Sequence, residues 1–414
     1  MIKKTLFLFC IYSNLTGCFD KNEFGQYPII EVIGNAGNYK KVYCSDLFSS
    51  IELIQLETKA ECLLDAVEFP EIILNDSLIL IPEKHGFNLY AFDRTGKFRN
   101  EIGKRGQGPG EYLSISNFFL NSEKATIFVE SISEILEYDY SGKFIHSFNK
   151  ISTNDGSQLN KYFYVGNSLF IGSINYTGTN KYKYCLFNQQ DIVKYFPNHI
   201  FFNRERDFSM KDDGAFPPIK VDNRLYLKDY INDTIYILEK SELQPVYVFG
   251  LGKYSYPKKY LENSPIGEAY YFPLQRIVGM PKLFFYTIGL SNFSTPKTKP
   301  KYDSYFNEFR PDDFWVFGIY DIEKNKNTLL DTDQYLQKGI INDYNGGLPF
   351  IPLYYAGNNL VVGVWNVLEM KEMLTEEYFA SKIIKNPQAH QKLKALLKNM
   401  KEDDNPIVVV AKLK

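Results

Sequence analysis

The sequence contains few of the residues that build disulfide, redox and zinc sites. It has five cysteines and four histidines in 414 residues, with no Cys-x-x-Cys pair and no two histidines four positions apart. This spacing excludes the common zinc and dithiol motifs, and we expect no metal site. Beyond Cys18 only Cys44, Cys62 and Cys185 remain. Cys44 and Cys62 could pair, but buried free thiols are the favoured interpretation, because three scattered cysteines form no disulfide framework.

An excess of charge of one sign is also missing. The formal net charge is -2 at pH 7. The chain therefore has no basic field that could attract a phosphate backbone, which excludes a nucleic-acid partner on electrostatic grounds. The phosphate-binding GxxxxGK[ST] loop and the GxSxG nucleophile elbow are absent as well. These absences leave no recognisable cofactor site, and we expect no cofactor.

The apolar run near the N-terminus is too short to span a bilayer. It follows a secretory pattern instead, in which two lysines precede the apolar stretch 6–12 and small residues come after it. Residues 15–18, Leu-Thr-Gly-Cys, resemble a bacterial lipobox. We therefore expect a signal peptide over residues 1–17, cleavage before Cys18, and attachment to the membrane through the acylated Cys18. The alternative is a plain secreted protein.

Aromatic residues, by contrast, are abundant: 32 Tyr and 33 Phe help to raise the aromatic share to 16%. Such residues suit the pleated, half-buried surface of β-strands. The segment LYAFDRTGKFRNEI recurs 46 positions later as ILEYDYSGKFIHSF, which aligns Asp93 with Asp139 and Gly96 with Gly142. Aspartate can accept hydrogen bonds from the backbone that follows it, and glycine supplies a positive φ, so each copy is predicted to be a β-hairpin. The period is typical of propeller blades.

Weaker copies of the strand pattern continue to the C-terminus and bring the count to about six units, as in radial β-repeats. We predict an all-β, six-bladed β-propeller over residues 46–414, after a lipidated N-terminus and linker over residues 18–45. The apolar strand 407–411 and the strand 51–56 are expected to share one blade and to close the ring. An amphipathic pattern over about residues 368–402 predicts a small helical insertion before the last strand.

Five short segments carry a family resemblance. They are 46–48 (DLF), 54–58 (IQLET), 92–98 (FDRTGKF), 106–112 (GQGPGEY) and 404–406 (DNP). With these residues the chain resembles the six-bladed β-propeller lipoproteins of Bacteroides-type bacteria, which are themselves similar to NHL-repeat propellers. The resemblance implies a fold and a location in the cell envelope, periplasmic or at the outer-membrane surface. It implies no reaction.

The loop 103–112 is the main candidate for binding. As a connection between blades it should open on the same face as the loop 82–88, at the mouth of the central channel. Its glycines and proline are expected to serve the backbone, because a tight crossover needs positive φ values and a fixed turn. These residues are Gly106, Gly108, Pro109 and Gly110. The candidate ligand-binding residues are the side chains His85, Lys104, Arg105, Glu111 and Tyr112.

Three functions remain open. The first is a binding or scaffold propeller that offers the loop-bearing face to a glycan, a peptide or an envelope protein. The second is a lyase or hydrolase of surface glycans or peptides, in which carboxylates distant in the sequence converge in the central channel. The scarcity of histidine favours binding over catalysis. The third is a structural subunit, which would dock through the predicted helices.

Overall fold

The computed structural model describes residues 27–64, 71–83, 87–203, 215–257, 271–290, 301–303, 308–310, 315–332 and 338–414. For residues 301–303 and 308–310 it describes the backbone only. The predicted signal peptide, the predicted lipid-attachment residue Cys18, and His85 lie outside these ranges. Among the described helices, none combines the length and the apolar character that crossing a bilayer requires.

Six β-sheets form the blades of a propeller, which confirms the predicted fold. Blades 1 to 5 run in chain order from an inner to an outer strand, and inner strands of neighbouring blades contact one another. Blade 1 consists of Ile73–Leu74, Leu78–Pro82, Leu89–Asp93 and Phe98–Glu101; blade 2 of Asn117–Asn121, Thr126–Glu130, Glu134–Asp139 and Phe144–Asn149; blade 3 of Leu159–Gly166, Leu169–Ile174, Tyr182–Phe187 and Ile192–Pro197.

The next two blades follow the same antiparallel plan, and a short hairpin is inserted in the second of them. Blade 4 consists of Ile219–Val221, Arg224–Leu227, Thr234–Glu239 and Glu242–Gly250; blade 5 of Leu274–Gly279, Leu283–Gly289, Trp315–Asp321 and Lys326–Leu330; the inserted hairpin of Lys301–Asp303 and Glu308–Arg310.

The burial of the strands explains why the sequence shows apolar runs as well as alternation. The second strands of blades 2 and 5, Thr126–Glu130 and Leu283–Gly289, are buried at every position, because neighbouring blades cover both of their faces. The outer strand Phe144–Asn149 alternates between half-buried and exposed residues, since one face looks towards solvent. Distance from the axis therefore decides which hydrophobic pattern a strand carries.

Blade 6 joins the two ends of the chain, as predicted. It consists of Tyr354–Gly357, Leu360–Trp365, the C-terminal strand Ile407–Leu413 and, outermost, the N-terminal strand Phe48–Gln55. The last two strands pair antiparallel from Ile407 opposite Gln55 to Leu413 opposite Phe48. The ring is therefore closed by backbone hydrogen bonds between distant parts of the sequence.

Residues 29–47, which precede the N-terminal strand of blade 6, also take part in the propeller, and the sequence did not indicate this. Ile29–Glu31 adds a parallel fifth strand to the outer edge of blade 4, and Tyr39–Lys40 does the same on blade 5. A short helix, α1 (Cys44–Leu47), then leads into the outer strand of blade 6. From residue 27 onwards, the segment expected to be a linker is thus part of the propeller. Strands of two or three residues are too short to show a period-2 pattern.

The helical insertion lies between the second and third strands of blade 6, where it was predicted. It contains α2 (Val367–Met373), α3 (Glu376–Ala380) and α4 (Pro387–Asn399). The side chain of Thr375 accepts a hydrogen bond from the Tyr378 amide at the start of α3. Met370 and Leu393 are fully buried and join the main hydrophobic core, so one face of the insertion packs on the propeller.

Aromatic side chains fill the wedge-shaped gaps between blades. Between blades 2 and 3, Phe170 packs edge-on against Phe128, with ring centroids 5.2 Å apart, and stacks on Phe187 at 5.4 Å. Such contacts stabilise a core beyond the burial of their area. The predicted free thiols are confirmed for the described chain: all three remaining cysteines are buried and unpaired, and they are Cys44, Cys62 and Cys185.

The repeated hairpin turns are held by their aspartates. Asp93 Oδ1 accepts hydrogen bonds from the Thr95 hydroxyl (2.6 Å) and from the backbone amides of Thr95 (2.8 Å) and Lys97 (3.1 Å). These bonds, the hydroxyl first, lower the pKa of the Asp93 carboxyl. Asp139 makes the equivalent bonds in blade 2. Gly96, at φ +88°, packs so closely that a Cβ would lie 2.0 Å from the carbonyl oxygen of Gln55. Each turn thus also contacts the preceding blade.

Alanine at Gly142 tests this contact between blades. Gly142 (φ +80°) and Gly156 (φ +82°) share a left-handed conformation, but only at Gly142 would a Cβ meet backbone, 2.1 Å from the carbonyl oxygen of Glu101. Gly156→Ala should cost the conformational strain alone, about 1–2 kcal/mol. Gly142→Ala should cost about 2 kcal/mol more, because the blade 1 backbone must move. Urea unfolding measures both, and equal losses would contradict the contact.

Candidate functional site

The two faces of the propeller carry different connections. Antiparallel blades place the loop between the second and third strands on the same face as the crossover to the next blade, here called the loop face. The opposite turn face carries turns of two to four residues, such as 167–168 and 358–359. The long helical insertion lies on the loop face, where His390 Nδ1 is 2.9 Å from the carbonyl oxygen of Asn345 in the crossover before blade 6. The long connections described above therefore lie on the loop face, and the short turns lie on the opposite face.

The crossover from blade 1 to blade 2 is folded by hydrogen bonds within its Gly-rich segment. The Tyr112 amide donates to the Lys104 carbonyl, and the Gly106 amide donates to the Tyr112 carbonyl, both at 3.0 Å. Glu111 Oε2 accepts a hydrogen bond of 2.8 Å from the Gly108 amide. The carboxylate of Glu111 is therefore used to close the loop.

Two of the glycines have a steric reason to be glycine. A Cβ on Gly106 would lie 1.9 Å from Glu111 Oε2, in the place that the closing carboxylate occupies. Gly110 has φ +75°, and a Cβ there would lie 2.5 Å from the Phe144 ring of blade 2. Pro109, between Gly108 and Gly110, is exposed. The Gly-rich segment is thus a close-packed bridge between two blades.

Tyr112 faces into the protein, contrary to its expected role at the mouth of the channel. Its side chain is 1% exposed, and its hydroxyl donates a 2.8 Å hydrogen bond to the Ile102 carbonyl. Its ring meets the ring of Tyr138 edge-on at 6.4 Å. Burial raises the pKa of the Tyr112 phenol well above its usual range. Tyr112 is therefore a packing residue that offers no surface to a ligand.

The two cations of the same loop are placed differently. Lys104 and Arg105 are both exposed, and neither forms an ion pair within the described ranges. The Arg105 guanidinium lies 3.8 Å from the ring centroid of Phe87, which comes from the loop between the second and third strands of blade 1. This cation–π contact holds the long Arg105 side chain against an aromatic face. Sequence reasoning selected Arg105 but missed its partner.

Two carboxylates stand beside these cations. Glu101 ends the outer strand of blade 1, opposite Tyr90. Glu83 follows the second strand, and its Oε2 accepts a 2.8 Å hydrogen bond from the side-chain Nδ2 of Asn88. Burial raises the pKa of the Glu101 carboxyl, Lys104 opposes the rise, and Glu83 adds to it. No sequence signal identifies this pair, because strand register brings it together. Glu83, Phe87, Glu101, Lys104 and Arg105 are here called the blade-1 platform.

Of the five candidate ligand residues, the structure places two on the open surface. Lys104 and Arg105 belong to the platform, Glu111 and Tyr112 serve the loop, and His85 lies outside the described residues. Within the described ranges, no three His, Cys, Asp or Glu side chains are arranged to share a metal ion.

A match to a known protein family covers almost the whole described chain. A family model for a domain of unknown function, DUF4934, matches residues 27–412. The chain belongs to the DUF4934 family. The match includes the strands Ile29–Glu31 and Tyr39–Lys40, which pair with the outer edges of blades 4 and 5. These two strands therefore lie within the DUF4934 domain. A comparison with curated proteins yields no match.

One solved structure shares the architecture of this DUF4934 domain. A Bacteroides fragilis protein described as exported is similar at 19% identity and a TM-score of 0.63, over 93% of this chain and 99% of that one. A member of the DUF4221 family from Bacteroides vulgatus is 10% identical, with a TM-score of 0.49 over 89% of this chain and 97% of that one. At such identities the likeness shows the fold alone.

Proposed function

We propose that the chain is an exported, lipid-anchored binding propeller of the bacterial cell envelope, with its ligand site on the blade-1 platform. The signal sequence and the lipobox pattern ending at Cys18 support the location. The likeness to a Bacteroides protein described as exported supports it as well. The proposal joins a rigid ring to a single loop-bearing face that can be presented to partners.

The observation that carries the proposal is the division of roles within one loop. Glu111, Tyr112 and the glycines stabilise the crossover, whereas Lys104 and Arg105 project from it into solvent. The contact of Arg105 with Phe87 keeps a cation in one position. An ordered, exposed cation lowers the entropy that a ligand must remove on binding.

The charges of the platform favour a peptide or protein surface as the ligand. Arg105 and Lys104 can bind carboxylates, while Glu83 and Glu101 can accept hydrogen bonds from amines or amides. A ligand that carries both kinds of group therefore fits better than a neutral glycan. We expect the site to recognise an extended peptide segment of an envelope protein that has acidic and basic side chains close together.

A paired substitution tests the platform. Phe87→Ala with Arg105→Ala removes both partners of the cation–π contact and should weaken binding about tenfold or more, by the loss of the ordered cation and its charge-assisted contact with the ligand. The measurement is co-sedimentation of the protein lacking residues 1–18 with envelopes from a strain without the gene. Protease treatment of those envelopes should abolish binding, because the expected ligand is a polypeptide.

Lys97→Ala is the matched control, since Lys97 is an exposed cation in the hairpin turn of the same blade. It should leave sedimentation unchanged. Equal binding by the double variant and the unmodified protein would contradict the platform, and binding that survives protease would contradict a peptide ligand.

The lipid anchor is tested separately at Cys18. Cys18→Ser removes the sulfur that would be acylated, and we expect the protein to move from the membrane fraction to the soluble fraction. Fractionation followed by intact mass measurement checks both the location and the added acyl mass. Unchanged membrane association of the serine variant would contradict attachment through Cys18, whereas a soluble unmodified protein without added acyl mass would indicate the plain secreted alternative.

A further inference from the structure

A concave site lies on the turn face of the propeller, opposite the blade-1 platform. It is a pocket of about 280 Å³ between blades 2 and 3, bordered by the turns that follow Asn121, Gly166 and Phe187. Its volume is at the small end of ligand sites and suits a ligand of one ring. None of the platform residues contributes to it. We call it the blade 2–3 pocket.

The floor of the pocket is aromatic and rigid. Phe128 and Phe170 are each 1% exposed and pack edge-on with ring centroids 5.2 Å apart. Tyr164 lies beside them and donates a 2.6 Å hydrogen bond from its hydroxyl to Glu123 Oε2. At these exposures the three rings set the shape of the floor, and the groups that an occupant can contact lie mainly at the rim.

The rim of the pocket is made of amide side chains with unused hydrogen-bonding groups. Asn121 is 2% exposed, and its Oδ1 accepts hydrogen bonds from the amides of Glu123 (3.1 Å) and Lys124 (3.3 Å). Asn188 Oδ1 caps its own turn, with hydrogen bonds of 2.8 Å and 2.7 Å. In the described part of the chain, the Nδ2 groups of both asparagines make no hydrogen bond. Two oriented donors therefore border the pocket.

The buried carboxylate of Glu137 orients, through His146, the side-chain amide of Gln189 at the pocket rim. Glu137 is 2% exposed, its Oε1 accepts a hydrogen bond from the Thr126 hydroxyl, and its Oε2 lies 3.2 Å from His146 Nδ1 on the adjacent strand. The carboxylate accepts a hydrogen bond from His146 Nδ1–H, and in that tautomer Nε2 is an acceptor. Gln189 Nε2 lies 3.0 Å from that nitrogen. This contact fixes the Gln189 amide and leaves its Oε1 as an acceptor at the pocket rim.

We propose that the blade 2–3 pocket binds one neutral, pyranose-sized sugar residue. Sugar hydroxyl groups both donate and accept hydrogen bonds. They can accept from the Nδ2 groups of Asn121 and Asn188 and donate to Oε1 of Gln189. Lys124 is the one charged side chain among the described lining residues, which suits a neutral ligand better than a strongly charged one.

The site goes beyond the function proposed above, because it uses the other face and a different ligand chemistry. Glu137 and His146 act as positioning residues, since they reach the sugar only through Gln189. A single sugar ring in a shallow pocket should bind with a dissociation constant of about 1–10 mM. Several copies of the anchored protein on one surface would raise the effective affinity for a branched glycan.

Saturation-transfer NMR on the protein without residues 1–18 tests the pocket directly. The probes are the methyl glycosides of glucose, galactose, mannose and N-acetylglucosamine. At least one should bind, and Gln189→Ala with Gln190→Ala should weaken it about tenfold, by the loss of hydrogen bonds to the ring. Both glutamines are exposed, so the fold should tolerate their replacement. Lys97→Ala, at an exposed cation outside both sites, is the control and should bind as well as the unmodified protein.

The positioning role has its own readout. Glu137→Gln should weaken sugar binding in the unmodified protein but should have no further effect when Gln189 is already alanine, because it acts through that side chain. Additive losses would refute the chain from Glu137 through His146 to Gln189. Absence of binding by every glycoside at about 50 mM, or unchanged binding by the double glutamine variant, would overturn the proposed sugar site.

Discussion

Removal of residues 407–414 is expected to abolish the cooperative folding of the whole propeller. The strand Ile407–Leu413 pairs with Leu360–Trp365 on one side and with Phe48–Gln55 on the other. Its residues from Ile407 to Ala411 are at most 3% exposed. Without this strand blade 6 loses the third of its four strands. Within the described structure, Phe48–Gln55 then loses its sheet partner. Blade 6 is then reduced to its two inner strands, with Leu360–Trp365 as an unpaired edge.

Urea unfolding followed by circular dichroism measures this effect. The full chain should show one cooperative transition and the truncated chain none. Removal of Lys414 alone is the control, because it deletes the 3.1 Å hydrogen bond from the Lys414 amide to the Leu47 carbonyl but keeps the strand. We expect that control to lose about 1 kcal/mol or less. A cooperative transition with an unchanged midpoint in the truncated chain would contradict closure by the termini.

Asn405→Ala should cause the largest loss of stability of any single substitution discussed above, about 3–5 kcal/mol. Asn405 is fully buried just before the closing strand. Its Oδ1 accepts a 2.7 Å hydrogen bond from the Leu64 amide, and its Nδ2 donates to the carbonyls of Glu57 (2.8 Å) and Cys62 (2.9 Å). One side chain thus holds the crossover from blade 6 to blade 1. Alanine would leave the Leu64 amide and the Cys62 carbonyl without partners, and the Glu57 carbonyl with only the weak hydrogen bond from Cys62 Sγ.

Two further variants make the test of Asn405 specific. Asn405→Asp keeps the shape and the acceptor but turns a second oxygen towards the carbonyls of Glu57 and Cys62, so it should be nearly as harmful as alanine. Asp403→Ala, at an exposed neighbouring position, should change the free energy of unfolding by about 0.5 kcal/mol or less. If aspartate proves as stable as asparagine, the two donor hydrogen bonds do not contribute.

The hairpins and the closing strand could be predicted because their causes are local. Asp93 and Gly96 interact within a single turn, and the same chemistry returns at Asp139 and Gly142. The run 407–411 is wholly apolar, which a strand buried on both faces requires. The strands Ile29–Glu31 and Tyr39–Lys40 could not be predicted, because the outer edges of blades 4 and 5 determine their conformation.

The proposed binding sites could be predicted from the sequence only in part. The GQGPGEY segment marked the correct loop, yet its letters do not say that Tyr112 points inward while Arg105 points outward. His146 looked like an isolated histidine, although it lies beside Glu137 across a hairpin whose register shifts between Glu137 and Tyr138. A one-residue irregularity of this kind decides which side chains become neighbours.

By itself the sequence determined the repeat, the class of fold, the hairpin turns and the strand that completes the ring. These features depend on hydrogen bonds within a few residues and on apolar content, both of which can be read along the chain. Only the tertiary structure decided that Arg105 lies on Phe87, that Asn405 holds the first crossover, and that Gln189 meets His146. Such pairs arise from strand register and from the packing of separate blades, which no position in the sequence specifies.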